Sequence, residues 1–217
     1  MKKFKLTSEF IVDISGVKLF RIKALIEFGN VKAGDLGGYI EKEKNLSHMG
    51  NAWVSGNAQV FGNARVFGNA WVSGDAQAFG NAWVSGNAQV SGNAWVFGDA
   101  QVFGNAQVFG NARVFGNARV SGDAQVFGNA RVFGNARVSG DARVSGDKDY
   151  AYAHGFGSCN RTTTFFRLKD GDVGVRCGCF YGTLAQFRDN VCETHGETKK
   201  AQEYLMLADL MDFRFKN

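Results

Sequence analysis

From Gly50 to Gly146 one six-residue phrase, Gly-(Asn/Asp)-Ala-(Trp/Gln/Arg)-Val-(Phe/Ser), recurs without insertion, and its one slip is Ala78 in place of Val. A period this short and regular decides the fold before any other feature, because every copy must take the same local structure and stack on its neighbours. Neither the strand period nor the helical period fits six residues; short strand, turn, short strand does. Val is β-branched and favours the strand, while Gly-Asn or Gly-Asp supplies a positive-φ corner. Ala after the corner is small enough to face a narrow interior. Three sides close a triangle, so one coil takes 18 residues, and residues 51–146 hold sixteen repeats. These make about five coils, roughly 25 Å long at ~4.8 Å per layer.

Reading the chain at intervals of eighteen gives the columns. Val54, Val72, Val90, Val108, Val126 and Val144 line one inner face; Val60, Ala78, Val96, Val114 and Val132 the second; Val66, Val84, Val102, Val120 and Val138 the third. Corner Asn residues in register can form amide ladders. Outside, the second face carries Phe61, Phe79, Phe97, Phe115 and Phe133 without a break, with Trp95 in the neighbouring column. An apolar strip of that size is more than a monomer usually leaves wet, so these six residues are the expected interface of a homo-oligomer, a dimer or a trimer. Tryptophans sit in the early coils, whereas Arg113, Arg119, Arg131, Arg137 and Arg143 crowd the late ones. Those arginines are the expected partner-binding residues. Beside Phe115 and Phe133 they also suit phosphate and base contacts, which makes nucleic acid an alternative to a protein partner.

The spacing V-x-G-N-A-x resembles that of the hexapeptide-repeat, left-handed parallel β-helix family, best known from acyltransferases. That resemblance implies the left hand; periodicity does not. The lead-in, Asn30-Val31-Lys32-Ala33-Gly34, Gly37-Gly38-Tyr39-Ile40, Asn45-Leu46-Ser47, Gly50 and Trp53-Val54, is similar to that of the YdcK-like group of bacterial and prophage hexapeptide-repeat proteins. The resemblance covers residues 1 to about 146. It implies the fold and a phage or prophage ancestry, from which a host-defence component is a partner to consider, and it carries over no catalytic residue.

Both ends of a solenoid present raw strand edges that need covering. Ahead of the repeats, Lys3–Thr7, Phe10–Ile14 and Val17–Leu25 read as short strands. Ile40 and Leu46 are six apart and fit the first inward positions, while the eight residues from Leu46 to Val54 imply an enlarged corner at His48-Met49. In the tail, Thr162–Leu168 and Val173–Cys179 flank an Asp-Gly hairpin signal. Thr183 caps a helix with Leu184, Phe187 and Val191 on one side, stopped by Gly196, and Thr198 caps a second helix. The expected architecture is therefore an all-β solenoid, a left-handed parallel β-helix of triangular 18-residue coils, with a small N-terminal β cap and a C-terminal α+β (ββαα) domain. Its expected segments are a cap over 1–45, the β-helix over 46–147, a linker over 148–160 and an independent domain over 161–217.

Composition narrows function further. No segment approaches the ~18 consecutive apolar residues of a membrane span, and no signal-peptide core follows the basic start, so a cytoplasmic protein without a membrane partner is expected. The net charge of +5 permits an anionic partner without demanding one. All four cysteines, Cys159, Cys177, Cys179 and Cys192, lie in the tail and read as reduced thiols. Cys177, Cys179, Cys192 and His195 are ligand types for zinc. Yet a helix of about 13 residues starting at Thr183 is expected to hold the two pairs about 15–20 Å apart, so no metal or other cofactor is expected. Acyl transfer needs a general base facing a groove between prisms. The three histidines, His48, His154 and His195, all lie outside the repeats. The reading is thus a non-enzymatic oligomeric scaffold or binding protein, with a nucleic-acid binder and an acyltransferase as alternatives.

Overall fold

The computed structural model describes residues 1–157 and 161–216. The chain opens with β1 (Phe4–Val12) and β2 (Lys18–Ala24), then β3 (Leu36–Ile40), each antiparallel to the one before. Where the sequence suggests two strands before Ser15-Gly16, β1 is one strand with a register shift between Leu6 and Phe10. Sixteen two-residue strands follow, from β4 (Trp53–Val54) to β19 (Arg143–Val144). They stack in parallel at the expected interval: Val54 pairs with Val72, Val60 with Ala78, Val66 with Val84 and Val126 with Val144. The three faces of this parallel β-solenoid are three sheets, one of six strands, one of five, and one that runs on through β3 and β2 into β1. The N-terminal cap is therefore an extension of the second face.

Inward Val and Ala residues of the coils are fully buried. Corner glycines from Gly56 to Gly140 sit at φ between 62° and 73°. A Cβ on Gly86 would also come within 2.9 Å of the Gly104 backbone nitrogen one layer on, so both conformation and space select glycine. Beside the glycines the amide ladders form, as in Asn69 Nδ2 to Asn87 Oδ1 and Asn87 Nδ2 to Asn105 Oδ1, both at 3.0 Å. The first coil is two residues longer than the rest. Ile40 pairs with Val60 and Leu46 with Val66, each twenty apart, which places the surplus in the corner the sequence marked.

Outside the two-residue strand ladders, hydrogen bonds between coils run one way: the N–H of one coil donates to the carbonyl of the next, as from Trp53 to Ala70 at 3.0 Å and from Ser55 to Val72 at 2.9 Å. These bonds leave an excess of free carbonyls at the N-terminal end and an excess of free N–H groups at the C-terminal end. The cap over the carbonyls supplies donors. Tyr39 N–H reaches the Ala58 carbonyl at 2.8 Å, Asn45 Nδ2 reaches that of Ala64 at 2.9 Å, and Lys3 Nζ reaches that of Ala52 at 2.7 Å. The N–H end meets acceptors instead: Thr164 Oγ1 takes the Arg137 N–H at 2.9 Å, and Asp147 Oδ1 that of Arg131 at 3.0 Å.

Those acceptors come from a four-stranded antiparallel sheet and the turn leading into it. Its strands are β20 (Tyr150–Phe156), β21 (Arg161–Arg167), β22 (Val173–Cys177) and β23 (Phe180–Thr183), followed by α1 (Leu184–His195) and α2 (Lys199–Lys216). The helices start and stop where the caps predict: Thr183 Oγ1 accepts from Gln186 N while Gln186 Oε1 accepts from Thr183 N, and Gly196 ends α1. Three expectations are corrected. The linker over 148–160 contains β20, its residues 158–160, Cys159 among them, lying outside the described residues, and the module is ββββαα rather than ββαα. Nor is the module independent. Strand alternation on β21 sends Phe166 into the solenoid core together with Tyr150, while Phe165 faces the helices with Phe187 and Tyr204. One sheet closes the prism and roofs a second core.

Candidate functional site

The phenylalanine ladder forms along the second face as the columns require. Ring centroids of Phe61, Phe79, Phe97, Phe115 and Phe133 are 5.0, 4.9, 4.9 and 5.3 Å apart in turn, with interplanar angles of 13° or less. Stacking covers the ring faces and leaves the edges toward solvent, so the first four are half-buried and Phe133 is exposed. Trp95 stands edge-on to Phe79 and Phe97, and the Arg113 guanidinium lies 4.9 Å over the Trp95 ring. At the C-terminal end Tyr152 and Tyr150 meet Phe133 edge-on at 5.9 and 6.4 Å, which ties the ladder to the closing sheet. All six residues expected at the interface thus form one continuous aromatic surface.

The arginines do not share a face. Arg113 pairs in register with Arg131 on the second face, Arg119 with Arg137 on the third, and Arg143 sits over Gln125 on the first. They girdle the late coils instead of forming a patch. All five are exposed, and among the described residues none lies in an ion pair. Two like charges one layer apart oppose the sheet pairing modestly.

The tail residues are closer than expected. β23 runs antiparallel to β22 before α1 returns across the sheet, so the C-terminal end of α1 comes back to the level of Cys177. Cys177, Cys179 and His195 line one cavity of about 260 Å³ with Arg161 and Tyr204. Tyr204 links them, its hydroxyl 3.8 Å from Cys177 Sγ and its ring stacked on His195 at 5.8 Å. The separation inferred from helix length alone is therefore overturned by the hairpin. Cys192 is exposed and does not line the cavity, and no group of three or more His, Cys, Asp or Glu side chains suited to a metal occurs among the described residues.

Residues 58–74, 88–104, 106–122, 124–140 and 136–147 match the family model described as the YdcK beta solenoid repeat. The coils are YdcK-type solenoid repeats. No curated protein matches the chain.

Around this YdcK-type solenoid two features escape a reading of the repeat. Met206, Leu210 and Phe213 form an exposed stripe on α2 opposite the buried Ala201, Tyr204, Ala208 and Met211. Their i, i+4, i+7 spacing was the signal that marks it. The second feature is a cavity of about 570 Å³ beside the enlarged first corner, flanked by His48 and Trp83. Among the described residues no helix is long and apolar enough to cross a membrane.

Proposed function

We propose that this protein is a non-enzymatic scaffold whose copies associate through the Phe61–Phe133 ladder and which presents its arginine girdle to a macromolecular partner. The ladder carries the reading. Its ring faces are already used up in stacking, so what it offers is a row of edges at a fixed spacing of about one layer. A second copy presents the same spacing, and edges of one row meet the grooves between rings of the other along the whole face. The phage or prophage ancestry and a host-defence partner belong to this reading as expectations drawn from resemblance. Sedimentation of the wild type and of Phe97→Asp tests it: the wild type is expected as a dimer or trimer and the variant as a monomer with an unchanged circular dichroism spectrum. A monomeric wild type refutes the scaffold.

A second reading, a nucleic-acid binder, is favoured by the stacked pairs Arg113/Arg131 and Arg119/Arg137, whose mutual repulsion an anionic strand would relieve. Its mark would be retention of single-stranded DNA that weakens steeply with salt and with Arg131→Gln. For acyl transfer the support is thinnest, since no histidine lies in the coils.

A further inference from the structure

The four tryptophans have four different fates. Trp53 is buried against Phe28 under the N-terminal cap, Trp71 Nε1 donates to Ser55 Oγ at 3.0 Å, and Trp95 is built into the ladder. Trp83 alone among them keeps an open indole, 46% exposed. It stands beside the 570 Å³ cavity, which lies where the lead-in, Leu46 paired with Val66, meets the third face next to the enlarged first corner.

The cavity has a floor, an aromatic wall and charged rims. Leu46 and Val66, both buried, form the floor. Phe67 and Trp83 meet edge to face at 5.9 Å and 80°, so Phe67 holds the indole upright. Arg65 occupies the same outward column as Trp83, one layer toward the N-terminus, and Lys44 stands on the lead-in rim; both are exposed. Among the described residues neither cation is in an ion pair, whereas the one carboxylate of the lining, Glu43, is engaged by Lys2 Nζ at 2.7 Å. His48 fixes the lead-in wall: its Nδ1 accepts the Lys3 N–H at 3.2 Å and its ring stacks on Phe4 at 4.3 Å. The result is a preformed site with an open flat aromatic face and an excess of positive charge, within the usual size range for small-molecule cavities.

We propose that this cavity binds a phosphorylated flat ring, of the nucleoside monophosphate class, with the ring stacked on Trp83 and the phosphate held by Arg65 and Lys44. An aromatic platform accepts any planar ring, and a guanidinium paired with an ammonium selects a phosphate over a neutral group. The cavity spans the lead-in and the two layers that carry Arg65 and Trp83, which suits one ring and one phosphate. The inference does not depend on the scaffold reading, because the ladder lies on another face.

Titration calorimetry of the full chain with adenosine 5′-monophosphate, adenosine and inorganic phosphate tests it. The monophosphate is expected to bind saturably with a Kd of about 1 mM or tighter, and adenosine or phosphate alone at least about tenfold more weakly. Trp83→Ala and Arg65→Gln should each weaken the monophosphate by about tenfold, while Trp71→Phe leaves it unchanged. Arg65 is exposed, so its variant reads binding without a folding defect, and thermal unfolding of each variant checks this. Any of three results overturns the proposal: no saturable binding of the monophosphate, equal binding of inorganic phosphate, or binding lost with Arg137→Gln but kept with Arg65→Gln.

Discussion

The two ends of the prism face opposite tasks although the body between them is uniform. At the N-terminal end bare carbonyls need donors, and Lys3, Asn45 and the Tyr39 N–H provide them. At the C-terminal end bare N–H groups need acceptors, and Thr164, Asp147 and Asp149 provide those. The one-way hydrogen bonds outside the ladders therefore dictate different side-chain chemistry at the two terminals, as the backbone of a helix does. The ends differ in packing too. The N-terminal cap continues a face of the solenoid, whereas the C-terminal sheet lies across the prism and inserts Phe166 and Tyr150 into its core.

The contrast can be broken most severely at Phe166. Phe166→Asp puts a charge into the closed end of the prism and is expected to cost at least about 4 kcal/mol, read as a fall in the denaturant midpoint and exposure of apolar surface to dye. At the opposite end, Lys3→Met leaves the Gly50 and Ala52 carbonyls without their donor and should cost about 1–2 kcal/mol at neutral pH. The same residue gives a pH signature. Burial lowers the Lys3 pKa from 10.5 to about 8, so between those values the unfolded chain holds more protons than the folded one. Stability of the wild type relative to Lys3→Met should therefore rise across that window, by about 3 kcal/mol at most, since the neutral amine still donates. Thr164→Val removes the acceptor for the Arg137 N–H and is expected to cost about 1–2 kcal/mol, with faster hydrogen exchange confined to the last coil. As a mid-body reference, Asn87→Ala interrupts one exposed amide ladder and should cost no more than about 1 kcal/mol.

The body was legible because each position answers to a column. Val54 to Val144, the ladder phenylalanines and the corner amides were all placed by the interval of eighteen. Even the long first coil showed in the spacing of Leu46 and Val54. Beyond Gly146 no interval constrains the chain, and local signals served unevenly. Thr183 and Gly196 bound α1 correctly, because a capping side chain and a glycine stop act within one turn. Tyr150–Phe156 and Phe180–Thr183 were missed as strands: the small Ala and Gly residues between their aromatics resemble a linker, and their pairing is set by partners elsewhere in the sheet. The distance between Cys177 and His195 failed for the same reason, since it depends on a hairpin that reverses the chain. Of the candidate surfaces, the ladder followed from the columns, whereas the division of the arginines among three faces required the register of each pair. The cavity beside Trp83 needed the folded lead-in, which no repeat describes.

One consequence of the eighteen-residue register concerns length. Adding a full coil would move the terminal modules apart by ~4.8 Å without rotating either, but adding a single hexapeptide would swing the C-terminal module by a third of a revolution. Duplication inside such a gene thus has a neutral step size, and the molecule behaves as a ruler graduated in whole turns.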